Sequence, residues 1–286
     1  MGTLLNPVKR NLRFHLQPDR LSHWSGRGPH FSQLLNTFSI FFPQGEKFFI
    51  DSVRNFQTQI SDAELKSAIV SFMRQEALHS REHIEYNKVL QEAGYPVELF
   101  EAQVALILNL DRLLLPKEAQ LAITCALEHL TAIMAQALLG HHEAFSENSD
   151  PRFVAMWKWH ALEETEHKAV AFDVYREMMG KRPDAYAIRV MMYLISNLVF
   201  WGLVIPYHLS FLHKAGQQWN LASAAGMIQT LWGRPGAFRK IVPDWLAYFR
   251  PDFHPWDLDN RHFLSLFDSL IDQVEAFRPP AAETRK

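Results

Sequence analysis

Apolar residues recur at helical intervals through most of the chain, and at four places an acid or a histidine stands inside the apolar stripe. From about Thr37 to Gln59 the stripe is Phe38, Phe42, Phe49, Val53 and Phe56, and Glu46 falls between Phe42 and Phe49. Pro43 and Gly45 interrupt its first part and read as a kink or as the true start of the helix. Ser61-Asp-Ala-Glu64 has the form of a capping box, which predicts a helix from Asp62 to Glu92 that stops at Gly94. Ile69, Phe72, Glu76, His79, His83, Tyr86 and Leu90 share its inner face. The long connection from Tyr95 to Leu115, with Phe100, Val104, Ile107 and Leu108, predicts a crossover helix. Pro116 opens a further helix through about Glu143, whose inner stripe holds Leu121, Cys125, Glu128, Ala132 and Ala135. Asp150-Pro151 supplies a cap and first position for a last helix ending near Gly180, with His160, Glu164 and His167 on one stripe ahead of Ala171 and Val174.

A carboxylate or imidazole inside an apolar stripe is costly unless something binds it. The order is a helix with one inward Glu, a helix with Glu-x-x-His, a crossover, and the same pair again. Glu46, Glu76, His79, Glu128, Glu164 and His167 are thereby candidate ligands of a two-metal site, because four carboxylates and two imidazoles in one core repel and suffer desolvation without cations. Ion pairs are the plainer alternative, for example Glu46 with Arg54. Glu163 competes with Glu164, but the three-residue spacing to His167 favours Glu164. His83 and His160 are candidates for extra ligands or for groups that support ligands, or form a hydrogen-bonded core pair. They meet if the two Glu-x-x-His helices run antiparallel. Tyr86 is a redox candidate or a packed aromatic.

The wording around these residues, Phe-Phe-Pro-Gln-Gly-Glu46-Lys-Phe-Phe, Gln-Glu76-Ala-Leu-His79 through His83, and Trp-His160 through Glu164 to His167-Lys, resembles a bacterial family catalogued as predicted metal-dependent hydrolases. The resemblance runs from about His30 to about Asp257. The set as a whole is similar to the ferritin-like dinuclear metal proteins. That resemblance implies an all-α, ferritin-like four-helix bundle with a long crossover and extra C-terminal helices, in which Glu76 and Glu164 bridge the metals and Glu46 and Glu128 are terminal ligands. It also implies two metal ions, iron foremost with manganese or zinc as alternatives, and dioxygen as co-substrate. The activity expected first is a di-iron oxidoreductase acting on an apolar or amphipathic small molecule. The alternative is a metal-dependent hydrolase using a metal-bridging hydroxide, and a non-catalytic iron-binding protein comes third. The reading requires Glu46 and Glu128 to face inward and His79 and His167 to lie within about 10 Å of each other, since paired metals sit about 4 Å apart.

Length and charge narrow the field further. A chain of 286 residues can bury a sizeable core, and a net charge of −2 gives no electrostatic reason to expect nucleic acid. Cys125 is the single cysteine, which excludes an intrachain disulfide framework and fits a reducing, cytoplasmic compartment; the basic N-terminus shows no secretory apolar run. Residues 1–36 read as an irregular arm in which His15, His23 and His30 share no spacing, and 37–180 as the bundle. Residues 181–277 read as an apolar helix and a wrapping extension, and 278–286 as a disordered tail. Val190 to Leu212 contains no Asp, Glu, Lys or Arg, long enough to span a bilayer, yet basic residues flank both ends and Pro206 interrupts it. A helix packed over the bundle is expected there, with peripheral membrane contact through 190–212 as the variant.

Overall fold

The computed structural model describes residues 5–140, 145, 147–234 and 236–277. It is all-α, with no strand among the described residues. The four helices expected to carry the candidate ligands are α2 (Phe42–Arg54), α3 (Ala63–Glu92), α5 (Lys117–Gly140) and α6 (Pro151–His167). The connection between α3 and α5 is itself a helix, α4 (Val97–Leu114). Cross-contacts fix the direction of α3 against α6. As α3 is followed forward, from Glu76 to His79, His83 and Tyr86, its partners step backward through His167, Glu163, His160 and Trp157. The two helices are therefore antiparallel.

Local chemistry sets the boundaries. Asp62 caps α3 by accepting from the Leu65 amide, so the cap lies one residue after the Ser61 position expected; Ser61 instead donates to Glu177. Gly94, at φ 82°, takes the left-handed turn that ends α3. Asp150 caps α6 with Pro151 in its first turn. Pro43 sits in the first turn of α2 and marks a true start.

Two sequence expectations need correction. The irregular arm does not extend to residue 36, because Pro29 opens a separate helix, α1 (Pro29–Ser39), which is almost wholly buried. Earlier residues are irregular but not loose: Phe14 and Trp24 are core residues, packed on Trp159 and Phe153. The last site helix also breaks, at Lys168-Ala169, and continues as α7 (Val170–Met179). No Pro or Gly announces the break; Lys168 is held there by Leu258 O and the Asn260 side chain. The extension after residue 214 carries the extra C-terminal helices expected, α9 (Leu221–Trp232), α10 (Ala237–Ala247) and α11 (Phe267–Glu275). The expected end of α5 near Glu143 and the tail at 278–286 fall outside the described residues.

The apolar run belongs to α8 (Ala185–Lys214), which Pro206 does not break. Among the described residues two helices, α5 and α8, are long and apolar enough to cross a membrane. Helix α5 is mostly buried, as a core helix should be, whereas only a third of the apolar stretch of α8 is buried. Its inner side packs on α1 and α5, and Leu194, Leu198, Ile205 and Leu209 face outward.

Candidate metal centre

Helical spacing delivers the six candidates to one place. Glu46 comes from α2, Glu76 and His79 from one face of α3, Glu128 from α5, and Glu164 and His167 from α6. All six are buried, with Glu46 and Glu128 each only 1% exposed. The rings of His79 and His167 have centroids 5.7 Å apart, inside the limit set by the sequence reading. Arg54, the alternative partner for Glu46, pairs with Asp51 on the surface instead.

Two groups of donor atoms share Glu76. In the first, His79 Nδ1 lies 4.0 Å from both Glu46 Oε1 and Glu76 Oε1. In the second, His167 Nε2 lies 3.1 Å from Glu76 Oε1, 3.6 Å from Glu128 Oε2 and 3.6 Å from Glu164 Oε2. Glu46 Oε1, both oxygens of Glu76, both of Glu128, His79 Nδ1 and His167 Nε2 are buried without a hydrogen-bond partner. Unmade hydrogen bonds at buried polar atoms are expensive, and here seven such atoms converge. Mixed oxygen and nitrogen donors in this number fit divalent or trivalent cations such as iron or manganese.

The outward-facing atoms, by contrast, are satisfied. His79 Nε2 meets Glu163 Oε2 at 3.0 Å, and Glu163 in turn accepts from Trp159 Nε1. His167 Nδ1 donates to Gln75 Oε1. Ser80 donates to Glu46 Oε2; Glu164 has both oxygens engaged, Oε1 with His160 and the cluster-side Oε2 with Thr131. Each imidazole thus spends one nitrogen on an orienting acceptor and aims the other at the cluster, the usual support for a metal-bound histidine. Glu163 therefore lies behind His79, while Glu164 lies on the cluster side.

His83 and His160 do meet, as an antiparallel pair of helices requires. The amide of Asn87 donates to Ser39 O and to Glu101, so its Oδ1 accepts from Ser39 Oγ. Ser39 Oγ then accepts from His83 Nδ1 at 2.9 Å, and His83 Nε2 accepts from His160 Nδ1 at 2.9 Å. One proton remains for the 3.0 Å contact between His160 Nε2 and Glu164 Oε1. Phe42 covers both rings, at 4.4 Å and 4.3 Å. Tyr86 stacks beside His83, and its hydroxyl is occupied by Asn36.

Burial dominates the electrostatics. It pushes Glu46, Glu76 and Glu128 well above the ordinary carboxyl range, helped by their mutual repulsion and that of Glu164. Burial likewise raises Glu163, against the pull of Arg10. At Glu164 burial is the largest effect and acts upward, but hydrogen bonds and charge from His160 and His167 outweigh it and hold the group low. His79 and His83 are pushed down by burial and then by neighbouring imidazoles.

Several supporting groups carried no periodic signal. Arg10 reaches from the arm to form a two-pronged pair with Glu166, at 2.9 and 3.1 Å, and lies 3.7 Å from Glu163. Glu166 also accepts from Gln75, closing a network behind both Glu-x-x-His histidines. Gln75 and Ser80 sit next to candidate ligands, and adjacency on a helix points them to other faces.

A family model described as predicted metal-dependent hydrolase matches residues 8–259. The chain belongs to that family. No curated protein and no solved structure matches it. The match to the predicted metal-dependent hydrolases takes in all six candidates and Arg10, so metal dependence attaches to the part of the chain that builds the buried cluster.

Two outcomes follow for this member of the family. Glu163→Gln keeps the volume but weakens the acceptor behind His79, so metal affinity should fall by about 10- to 100-fold; a metal titration in which affinity is unchanged would remove Glu163 from the site. The second concerns pH. Raised acids stabilise the metal-free fold at low pH, and that contribution is lost as pH rises through their raised values. His79 and His83, being lowered, cost stability only as pH falls below about 6.5. Lys168, lowered by burial to about 7, opposes the acids with the slope of one group. Metal-free protein should therefore lose stability as pH rises through the raised values of these acids, by at most about 1.4 kcal/mol per pH unit for each acid still protonated. Metal-loaded protein should gain stability over that range, because ligands bind deprotonated. Urea unfolding with and without chelator reads both, and parallel trends would contradict the assignment.

Proposed function

We propose that Glu46, Glu76, His79, Glu128, Glu164 and His167 hold two metal ions, iron in the physiological state, and that the protein is an oxidoreductase acting on an apolar small molecule. Glu76, near both histidines, and Glu164, beside His167, would be the ligands shared by the two ions, and Glu46 and Glu128 would each serve one. The observation that carries the reading is the donor set itself: seven unpartnered buried atoms from Glu46, Glu76, Glu128, His79 and His167, converging from four helices with Glu164 beside them. Two iron ions bound there would supply one-electron and dioxygen chemistry, which no protein side chain provides.

The chain's own residues do the rest. Glu163 and Gln75 fix the histidine rings, and Ser80 and Thr131 each fix one carboxylate oxygen. The chain of His160, His83, Ser39 and Asn87 fixes the two rings and holds a proton beside Glu164 Oε1. Two cavities approach from the side of α8 and α9. A small one of about 70 Å³ touches Glu164 and His160, and a larger one of about 260 Å³ touches Glu46. Their walls are almost entirely aliphatic and aromatic, with Phe38, Phe42 and Met134 common to both. Such walls exclude water and admit dioxygen or an apolar substrate, and offer little to bind the charged group of a phosphoester.

The second reading, hydrolysis, is favoured by the description of the family. The two separate in one experiment. Anaerobic protein loaded with two ferrous ions should take up dioxygen and develop a transient visible absorbance on exposure to air. Two zinc ions in the protein as isolated, with esterase or phosphodiesterase turnover and no dioxygen uptake by the ferrous form, would contradict oxidation.

A further inference from the structure

The larger cavity lies between α2, α4, α5 and α8, and its two ends differ. At the inner end it meets Glu46, whose Oε1 has no partner. Of its lining residues, Ile195 and Val199 of α8 are exposed and mark the outer end, and Ile107 of α4 is part-exposed. The mouth therefore opens between two helices whose outer faces are themselves apolar, with Leu106, Leu110 and Leu198 exposed nearby. A water molecule's share of liquid volume is about 30 Å³ and a methylene is of similar size, so 260 Å³ accommodates a chain of roughly eight or nine carbons.

Two polar features restrict what that chain carries. Ser196 lines the cavity, is 7% exposed, and its Oγ has no hydrogen-bond partner, although almost every buried hydroxyl finds one. The cavity lining also includes two acids, Glu46 and Asp111, and no Lys, Arg or His. Burial raises Asp111, which shows how poorly this wall supports negative charge. A fatty-acid anion would enter without a counter-charge and beside two carboxyl groups.

We infer that this cavity binds a neutral, unbranched aliphatic molecule of medium length bearing one oxygen function, which the Ser196 hydroxyl holds while the chain fills the space between the α4–α8 mouth and Glu46. The inference depends on the proposed centre only for what happens to the ligand at Glu46; binding itself depends on the cavity. A ligand with a hydroxyl or carbonyl oxygen satisfies Ser196, its methylenes replace water against Phe49, Ile123 and Leu203, and an acyl anion is rejected by charge.

Calorimetry on the full-length protein, with 1-octanol, n-nonane and sodium octanoate as probes and metal content measured on the same sample, tests this. One equivalent of 1-octanol should bind, and octanoate should bind at least about tenfold more weakly. Ser196→Ala should weaken 1-octanol by roughly three- to tenfold and leave n-nonane unchanged. Val199→Trp, a substitution at the part-exposed mouth checked by its thermal melt, should weaken all probes by at least about tenfold. Absence of 1-octanol binding, equal binding of octanoate, or indifference to Val199→Trp overturns the inference, and indifference to Ser196→Ala overturns the role of Ser196. A sample that contains two metals but binds no octanol sinks the cavity and spares the centre. One that binds octanol but takes up no metal does the reverse.

Discussion

Negative charge in an apolar core is the constraint on which everything else in this protein depends. Glu46, Glu76, Glu128 and Glu164 are at most 2% exposed, and three of them are pushed well above the ordinary carboxyl range by burial and by each other. A core designed only for stability would place leucines there, since buried ionic groups rarely outperform packed apolar ones. Retaining the acids makes sense when a cation offsets their charge, and at Glu46, His79 and His167 one side-chain atom is satisfied while the other, facing the cluster, is not. Folding and metal binding would be coupled in such an arrangement: the fold brings the donors together, and bound metals would relieve the strain of having done so.

Around that centre the protein is built in shells. Glu163, Trp159, Gln75, Ser80 and Thr131 orient the inward residues, and Arg10 with Glu166 ties the N-terminal arm across the back of α6. Beyond them Phe42, Phe72 and Trp159 press on the imidazole rings and keep the dielectric low. Helix α8 closes the remaining side. Its inner face forms cavity wall and its outer face remains apolar, so one uninterrupted hydrophobic run serves two surfaces.

The inward face of each helix was legible in the sequence because the period of 3.6 residues is strict where a core must be filled. Glu76 to His79 and Glu164 to His167 could be read as shared faces, and the meeting of His83 with His160 followed from antiparallel packing. The all-α class followed from the same periodicity. What was hidden had no period. Arg10 lies on an irregular arm whose course is set by its partners, and α1 was obscured by Gly28 and Pro29, which mark a helix start as readily as a loop. The break at Lys168 arises from tertiary contacts to Leu258 and Asn260, some ninety residues away in sequence. Glu163 and Glu164 differ only in which side of α6 they face, and spacing to His167 favoured one without revealing that the other supports His79.

Anomalous diffraction from crystals grown with ferrous iron is the most direct measurement of the central claim. Two peaks about 3.5–4 Å apart are expected, one contacting Glu46 and His79 and the other Glu128 and His167, with Glu76 between them. A single peak, or none within reach of both histidines, would show that these acids are buried for some other reason, and the metal account would fall with it.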